Sequence, residues 1–444
     1  MATYVYRTPG STFTGEKFTF SGWFKRGDLS ARNCMLWASS DGGSADFTEI
    51  EFKADGTLHW GNKPSGGTNM QLVTNRVFKD PSAWYHLVFT WDTTLSAGDR
   101  AKIYVNGVEE TSFSTDSNAG SGETGCSLAT SGVEVDIGKQ TGSTNYYYGE
   151  MSHLHLCIGY AYAASDFGSF DSTSGIWKIK TDPSVTYGTN GWFLKMEDRT
   201  NLDLDSSPNA YTFTTSGTLT ATYDNPSNNF CTLNPIASDL AGGSLTLGNN
   251  YVQFASDSTY RSIYGTLGNS TGKYYFEGYV QDDGNATNIG IIDTEQNTGS
   301  NQDFTVQSRG YGYNENGDKG NNNSGYVYGD TYASTDIIGC ALDLTNGAIW
   351  FSKNGTWQNS ATIAEIGAGT TTNAAFTGLT LGASYWYGPA ISGKTNAKWK
   401  MNFGNGYFAD TAISSEGTNA SGIGSFEYDV PTGFTAWSTK GFNE

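Results

Sequence analysis

Two stretches of this 444-residue chain place carboxylates where they could do acid–base work. Glu49 and Glu51 in FTEIEF, and Glu134 and Asp136 in VEVDIG, stand two residues apart. On a β-strand such residues share a face, about 6.6 Å apart along the chain. Carboxylates at that order of separation cut glycosidic bonds, one as acid and the other as base or nucleophile. Neither pair has a third acid two residues further on, because those positions are Lys53 and Gly138. Solvated carboxylates on strand edges are the plainer reading. No Ser-His-Asp order, GxSxG motif or phosphate-binding glycine loop accompanies them, and the four histidines lack HExxH spacing. Cys34, Cys126, Cys157, Cys231 and Cys340 are odd in number and never in CxxC spacing, which predicts free core thiols. The chain reads as non-enzymatic, with no cofactor and no metal site dictated by spacing.

Binding chemistry is better represented. Asn145, Tyr146, Tyr147 and Tyr148 are consecutive, and three successive rings cannot all be buried in an alternating strand, so at least one points outward. Sugar rings stack their C–H faces on aromatic rings while amides take hydroxyls. The plainer reading is that these rings cover the end of a sandwich or pack against a neighbouring subunit.

The elements that position such residues are strands. Tyr85, Leu87, Phe89 and Trp91 alternate with His86, Val88 and Thr90, and a second strand runs from Lys102 into Asn106-Gly107. Asn-Gly favours the type I′ hairpin turn, which needs positive φ at both central residues. The device returns where IIGCALDL and IWFSK lead into Asn354-Gly355. With aromatic residues at 14% and 57 glycines, the composition is all-β, and length favours two antiparallel, jelly-roll-like β-sandwiches in tandem. The expected boundaries are 1–222, a polar linker at 223–244, and 245–444 with a C-terminal extension from Ser414. A net charge of −19 argues against nucleic acid and anionic membrane as partners. No apolar run suffices for a membrane helix, and residues 1–10 lack the pattern of an export signal.

The set FTFSGWFKRGD, FKDPSAWYHLVFTWDTT, KIYVNGV, Ile137-Gly138-Lys139, SDFGSFD, YGTNGWFLKMED and SPNAYTF resembles the laminin G-like, concanavalin A-like domain of tailed-phage virion proteins, over residues 1–220. KYYFEGYV, NIGII, GYGY, DIIGCALDLTNGAIWFSKNGTW, YWYGPA and WKMNFG resemble a SPRY (B30.2-like) domain over 245–410. Concanavalin A-like glucanases carry E-x-D-x-E on one strand, and Gly138 breaks that pattern here. Laminin G-like relatives sometimes bind calcium, for which Asp41, Asp46 and the Asp203/Asp205 pair are the oxygen-rich candidates. The SPRY resemblance places Tyr260, Arg261, Arg309, Tyr313 and Trp357 on or near recognition loops, with the polar stretch 314–325 as a loop mobile until a partner orders it. Together the resemblances imply a homo-oligomeric surface protein of a virion, assembled in the host cytoplasm. Its expected partners are host-surface glycans or receptors and other virion proteins. A purely structural decoration protein and a polysaccharide depolymerase are the alternatives.

Overall fold

The structure, a computed structural model, describes residues 3–42, 46–237, 240–284, 286–296 and 302–443. The chain divides into two compact units, 1–221 and 222–444. Among the described residues, α-helix is confined to two short turns, Ala164–Phe167 and Ile363–Gly367. The predicted all-β class with antiparallel sheets is what the chain adopts.

In the first unit an eight-stranded sheet runs in the order Phe113–Ser117, Met70–Val77, Thr57–Lys63, Phe47–Phe52, Asn33–Ser39, Val135–Ile137, Tyr4–Arg7 and Thr214–Ser216. A six-stranded sheet faces it, in the order Trp192–Leu194, Gly149–Ile158, Lys17–Arg26, Trp84–Asp92, Ala101–Val105 and Val108–Glu109. Leu87, Phe89 and Trp91 point into the shared core, against residues such as Ile50 and Trp60 of the larger sheet. The alternation in the sequence is therefore kept. Asn106 and Gly107 adopt φ of 49° and 81°, and Val105 pairs with Val108 across them, as a type I′ turn requires. The Asn106 side chain also accepts from the His86 N–H at 2.8 Å, stitching the turn to the next strand.

The opposite face of the six-stranded sheet is covered as well. Val88 packs with Cys157, Phe167, Tyr187 and Phe193 beneath the segment that follows the long strand Gly149–Ile158. His86 lies between Trp23 and Trp177, with ring centroids 4.9 and 5.9 Å away. The Trp177 indole N–H donates to His86 Nδ1 at 3.1 Å, so the neutral ring carries its proton on Nε2, 2.9 Å from the Ser21 hydroxyl. Trp177 itself lies where any side chain at Gly107 or Gly168 would be, 2.3 and 2.5 Å from their built Cβ positions.

Burial depresses all three histidines of this face, His86 to about 3, His153 to about 4 and His155 well below the usual value. Each binds its proton more weakly folded than unfolded, so its contribution to stability is complete above pH ~6.5 and is lost as pH falls toward the folded value. The melting temperature of the first unit should drop between pH 6.5 and 4, and His86→Phe should reduce that drop. A flat profile over this range removes the argument.

The second unit pairs two further sheets. One runs Ser244–Thr246, Tyr251–Gln253, Lys398–Asn402, Lys273–Asp282, Ile337–Asp343, Ala348–Lys353 and Thr356–Trp357. Phe376–Thr377 and Thr435–Ala436 are side additions to it. The other runs Arg261–Tyr264, Tyr387–Gly393, Thr287–Asp293, Gly310–Asn314, Asp318–Asn321 and Ser324–Val327. Asn354 and Gly355 take φ of 48° and 78° in the second Asn-Gly turn.

Two expectations are corrected. The stretch 223–244 is not a linker throughout, since the second unit begins at Thr222. Phe230, Cys231 and Leu233 are fully buried, with Phe230 bridged to Ser438 and Leu233 to Gly265. Three apolar residues inside a polar composition were enough to anchor it. The stretch 314–325 is not a loose loop but part of a meander. Asn322 and Asn323 take φ of 50° and 57° between paired strands, and the Asn321 side chain donates to the Gly310 carbonyl at 2.8 Å. Asparagine tolerates the left-handed turn, so ladder hydrogen bonds replace the missing apolar anchor.

The C-terminal segment covers the outer face of the larger sheet, where Phe426, Val430 and Phe434 pack with Tyr275 and Trp350. Beneath it Glu277 is fully buried. Its carboxylate accepts from the N–H groups of Glu427 and Tyr428, both at 2.9 Å, from the Tyr275 hydroxyl at 3.0 Å and from Asn402 Nδ2 at 3.4 Å.

Candidate binding site

A cleft of about 920 Å³ opens on the second unit where residues 258–260, the turn around Phe304–Val306 and the meander meet. Hydroxyls of Ser258, Thr259 and Ser324 and amides of Gln302, Gln307 and Asn323 line it, together with the Tyr260 ring. Local turns hold these groups. Asp257 accepts from the Thr259 N–H at 2.9 Å and takes both ends of the Arg261 guanidinium at 2.8 and 2.9 Å, which fixes the loop carrying Tyr260. Lys394 Nζ sits 4.5 Å from the centroid of the Tyr260 ring. Asp303 also lines the cleft and is committed to bracing it, accepting from the Thr305 N–H at 3.0 Å, Ser392 Oγ at 2.7 Å and Asn288 Nδ2 at 2.6 Å. Burial pushes its carboxyl up. The surface offered is thus neutral hydroxyls and amides beside one ring, a lining suited to a polyhydroxylated ligand.

Of the five residues expected on this domain, only Tyr260 lines the cleft. Arg261 is 7% exposed and acts behind it. Arg309 lies at the far end of the strand Gly310–Asn314, paired with the buried Asp293 and 5.0 Å over the Tyr385 ring. Trp357 is half-buried, 6.2 Å from the Tyr275 ring. Tyr313 is fully buried, which corrects its expected exposure. Along Gly310–Asn314, Tyr311 and Tyr313 point to the core cluster, so both alternate residues of GYGY are packing residues. The cleft residues that sequence reasoning missed are Ser258, Thr259 and those of QDFTVQ, a stretch whose only signal is Asp303 two residues before Thr305, a short capping pattern.

In the first unit Asn145 donates to Gln140 Oε1 at 2.6 Å, and Tyr146 pairs with Lys139. The Tyr147 hydroxyl donates to the Lys25 carbonyl at 3.0 Å, with its ring edge-on to Phe24. Only Tyr148 of the four is exposed. The calcium candidates are engaged locally. Asp205 accepts from the N–H groups of Phe193, Ser207 and Tyr211, Asp203 from Thr215, Asp46 from Ser40 and Ser127, and Asp41 from Ser39.

The two acid pairs fall on one face. Gly61, Glu49, Trp37, Asp136 and Tyr6 are successive cross-strand partners, which sets Glu49 and Asp136 two strands, about 10 Å, apart. Three of the four are not solvated edge carboxylates, and Glu134 is half-buried. Glu49, Glu51 and Asp136 are 8, 1 and 0% exposed, because their strands are interior to the sheet and loops lie over it. Thr141 donates its hydroxyl to Asp136, whose carboxyl is pushed up to about 7 by burial and by Glu134. Arg32 Nε and Nη2 reach Glu51 at 2.7 and 2.5 Å, and Nη2 reaches Glu49 at 3.2 Å. Burial, and then Glu51, raise the Glu49 carboxyl, while hydrogen bonds from His59 and Arg32 lower that of Glu51 against burial.

Residues 2–157 match the family model described as the concanavalin A-like lectin/glucanases superfamily, and residues 273–406 match the SPRY domain. The first unit therefore carries a concanavalin A-like domain and the second a SPRY domain. Among curated proteins, the chain is similar to the Drosophila melanogaster ATP-dependent RNA helicase Ddx1, 39% identical over 84 residues, or 19% of this chain and 11% of the helicase. It is also similar to the Drosophila melanogaster Ran-binding proteins 9/10 homolog, 33% identical over 107 residues, or 23% of this chain and 11% of that protein. The aligned stretch thus spans about a tenth of these relatives. Among solved structures, the SPRY domain of human HERC1 aligns with a TM-score of 0.28 at 18% identity, covering 37% of this chain and 96% of that one. A putative carbohydrate binding protein from Bacteroides ovatus aligns with a TM-score of 0.33 at 15% identity, covering 49% and 58%.

Proposed function

We propose that this chain is a non-enzymatic surface protein of a tailed-phage virion that binds a host-surface glycan through the cleft beside Tyr260. One observation carries the binding reading: a cleft of about 920 Å³ whose lining is neutral hydroxyls and amides around an aromatic ring, on a chain of net charge −19. The virion setting rests on the motif resemblance of residues 1–220 and on the tandem of two recognition-type sandwiches. The non-enzymatic reading is supported by the closure of Asp136 under Thr141 and by the engagement of both Glu49 and Glu51 with Arg32.

A glycan array followed by saturation-transfer NMR on the full chain tests it. Tyr260→Ala and Asn323→Gly, the glycine keeping the left-handed turn, should each weaken the captured glycan about tenfold or more, as loss of a stacked ring or a hydroxyl-binding amide does, without changing the melting profile. No reducing sugar should be released. Capture unaffected by both substitutions moves the site elsewhere, and sugar release restores the depolymerase. A second reading, a structural protein packing on other virion proteins or on copies of itself, is favoured by the edge strand Ser324–Val327, where Tyr326 and Val327 are 60 and 90% exposed.

A further inference from the structure

We infer that Glu49, Glu51 and His59 form a site for a first-row divalent transition metal, and that the Arg32 guanidinium is the resident counter-charge such an ion displaces. Glu49 and Glu51 project from one face of Phe47–Phe52, and His59 stands directly opposite Glu51 on the adjoining strand. One ligand atom from each of the three lies within 4.8 Å of the others. His59 Nδ1 is 3.3 Å from Glu51 Oε1 and 3.7 Å from Glu49 Oε2. Metal–ligand bonds of about 2.0–2.2 Å ask neighbouring ligands to lie roughly 3–3.5 Å apart, so a movement of about an ångström in flexible side chains closes the set.

Three features favour an ion over a purely structural ion pair. The ligands are withdrawn from water, at 8, 1 and 9% exposure, yet Glu51 and His59 border an open hollow of about 560 Å³ that leaves room for water in the remaining coordination positions. Arg32 brings one positive charge to two carboxylates, so the pair is left one charge short. The Arg32 side chain is 41% exposed and precedes the strand Asn33–Ser39, so it can swing outward without disturbing the core. Lys53 and Asp55 are the other charged residues around the hollow. One imidazole and two carboxylates suit Zn²⁺, Mn²⁺ or Co²⁺ better than Ca²⁺ or Mg²⁺, which favour all-oxygen shells.

Calorimetric titration of the metal-free full chain with Zn²⁺ tests this, with Co²⁺ absorption as a second signal. The expected result is one site in the micromolar range. Arg32→Ala should tighten it about tenfold, because one charge-assisted pair no longer has to break. His59→Ala, and independently His59→Gln, should weaken it tenfold or more and remove the Co²⁺ visible band. If Arg32 were only structural, its removal would not improve metal affinity. Failure of both the wild type and Arg32→Ala to bind overturns the assignment, as does binding indifferent to both His59 substitutions in proteins of native circular dichroism.

Discussion

Tyr313→Ala should lower the stability of the second unit by about 3–5 kcal/mol, the cost of deleting a large buried ring and leaving a cavity. The ring is fully buried, with centroids of Tyr328, Tyr332 and Phe351 at 5.5, 5.2 and 5.5 Å. Its hydroxyl donates to the Asp330 carbonyl, tying the chain beyond the meander to the core. Tyr313→Phe keeps the ring contacts and should lose only about 1 kcal/mol for the hydrogen bond. Urea unfolding of the two variants separates the contributions. An alanine variant as stable as the wild type would mean that this cluster is not the centre of the sheet packing.

Glu277→Ala should cost the same unit about 2–6 kcal/mol, since the N–H groups of Glu427 and Tyr428 would stay buried without an acceptor, at about 1–3 kcal/mol each. The wild-type residue also gives the unit a pH dependence of the opposite sign to that of the histidine face. Burial pushes the Glu277 carboxyl up to about 7, against the donors that favour its charged form, from an ordinary value of 4.5. Between these values the folded chain keeps a proton that the unfolded chain has released. Its contribution is therefore fully present below pH ~4.5 and is lost as pH rises through 7, on the order of 3 kcal/mol in all. Calorimetry should show the second unit melting later at pH 5 than at pH 8, with Glu277→Gln flattening the difference. A wild-type profile rising with pH contradicts the assignment.

The fold was largely legible because its signals are local. Period-two alternation around Phe89 and the two Asn-Gly turns depend on side-chain direction and on φ, both properties of a few adjacent residues. The binding cleft was legible at Tyr260 and, as a polar stretch that a partner orders, at 314–325, but not as one site. Its other walls come from stretches about 40 and 60 residues further along, and nothing in QDFTVQ says that it will face Ser324. Tyr313 was misplaced for a related reason. Alternation tells which residues share a face, but not whether that face meets the core or solvent when both sides of a strand carry tyrosine or glycine. The burial of Glu49 and Glu51 depends on Arg32 arriving from another segment, which spacing cannot reveal.

The aromatic ring lying on Gly107 has a counterpart in the second unit, where the Tyr428 ring comes within 2.6 Å of a Cβ built on Gly355. Hairpin tips are ordinarily where a lineage can lengthen its chain or display a foreign peptide, because they project into solvent. Here both Asn-Gly tips are keystones under rings supplied by later segments, Trp177 and Tyr428. Diversification is thereby directed away from them, toward unroofed turns such as the one at Gly98, where nothing lies within 4 Å of an added Cβ.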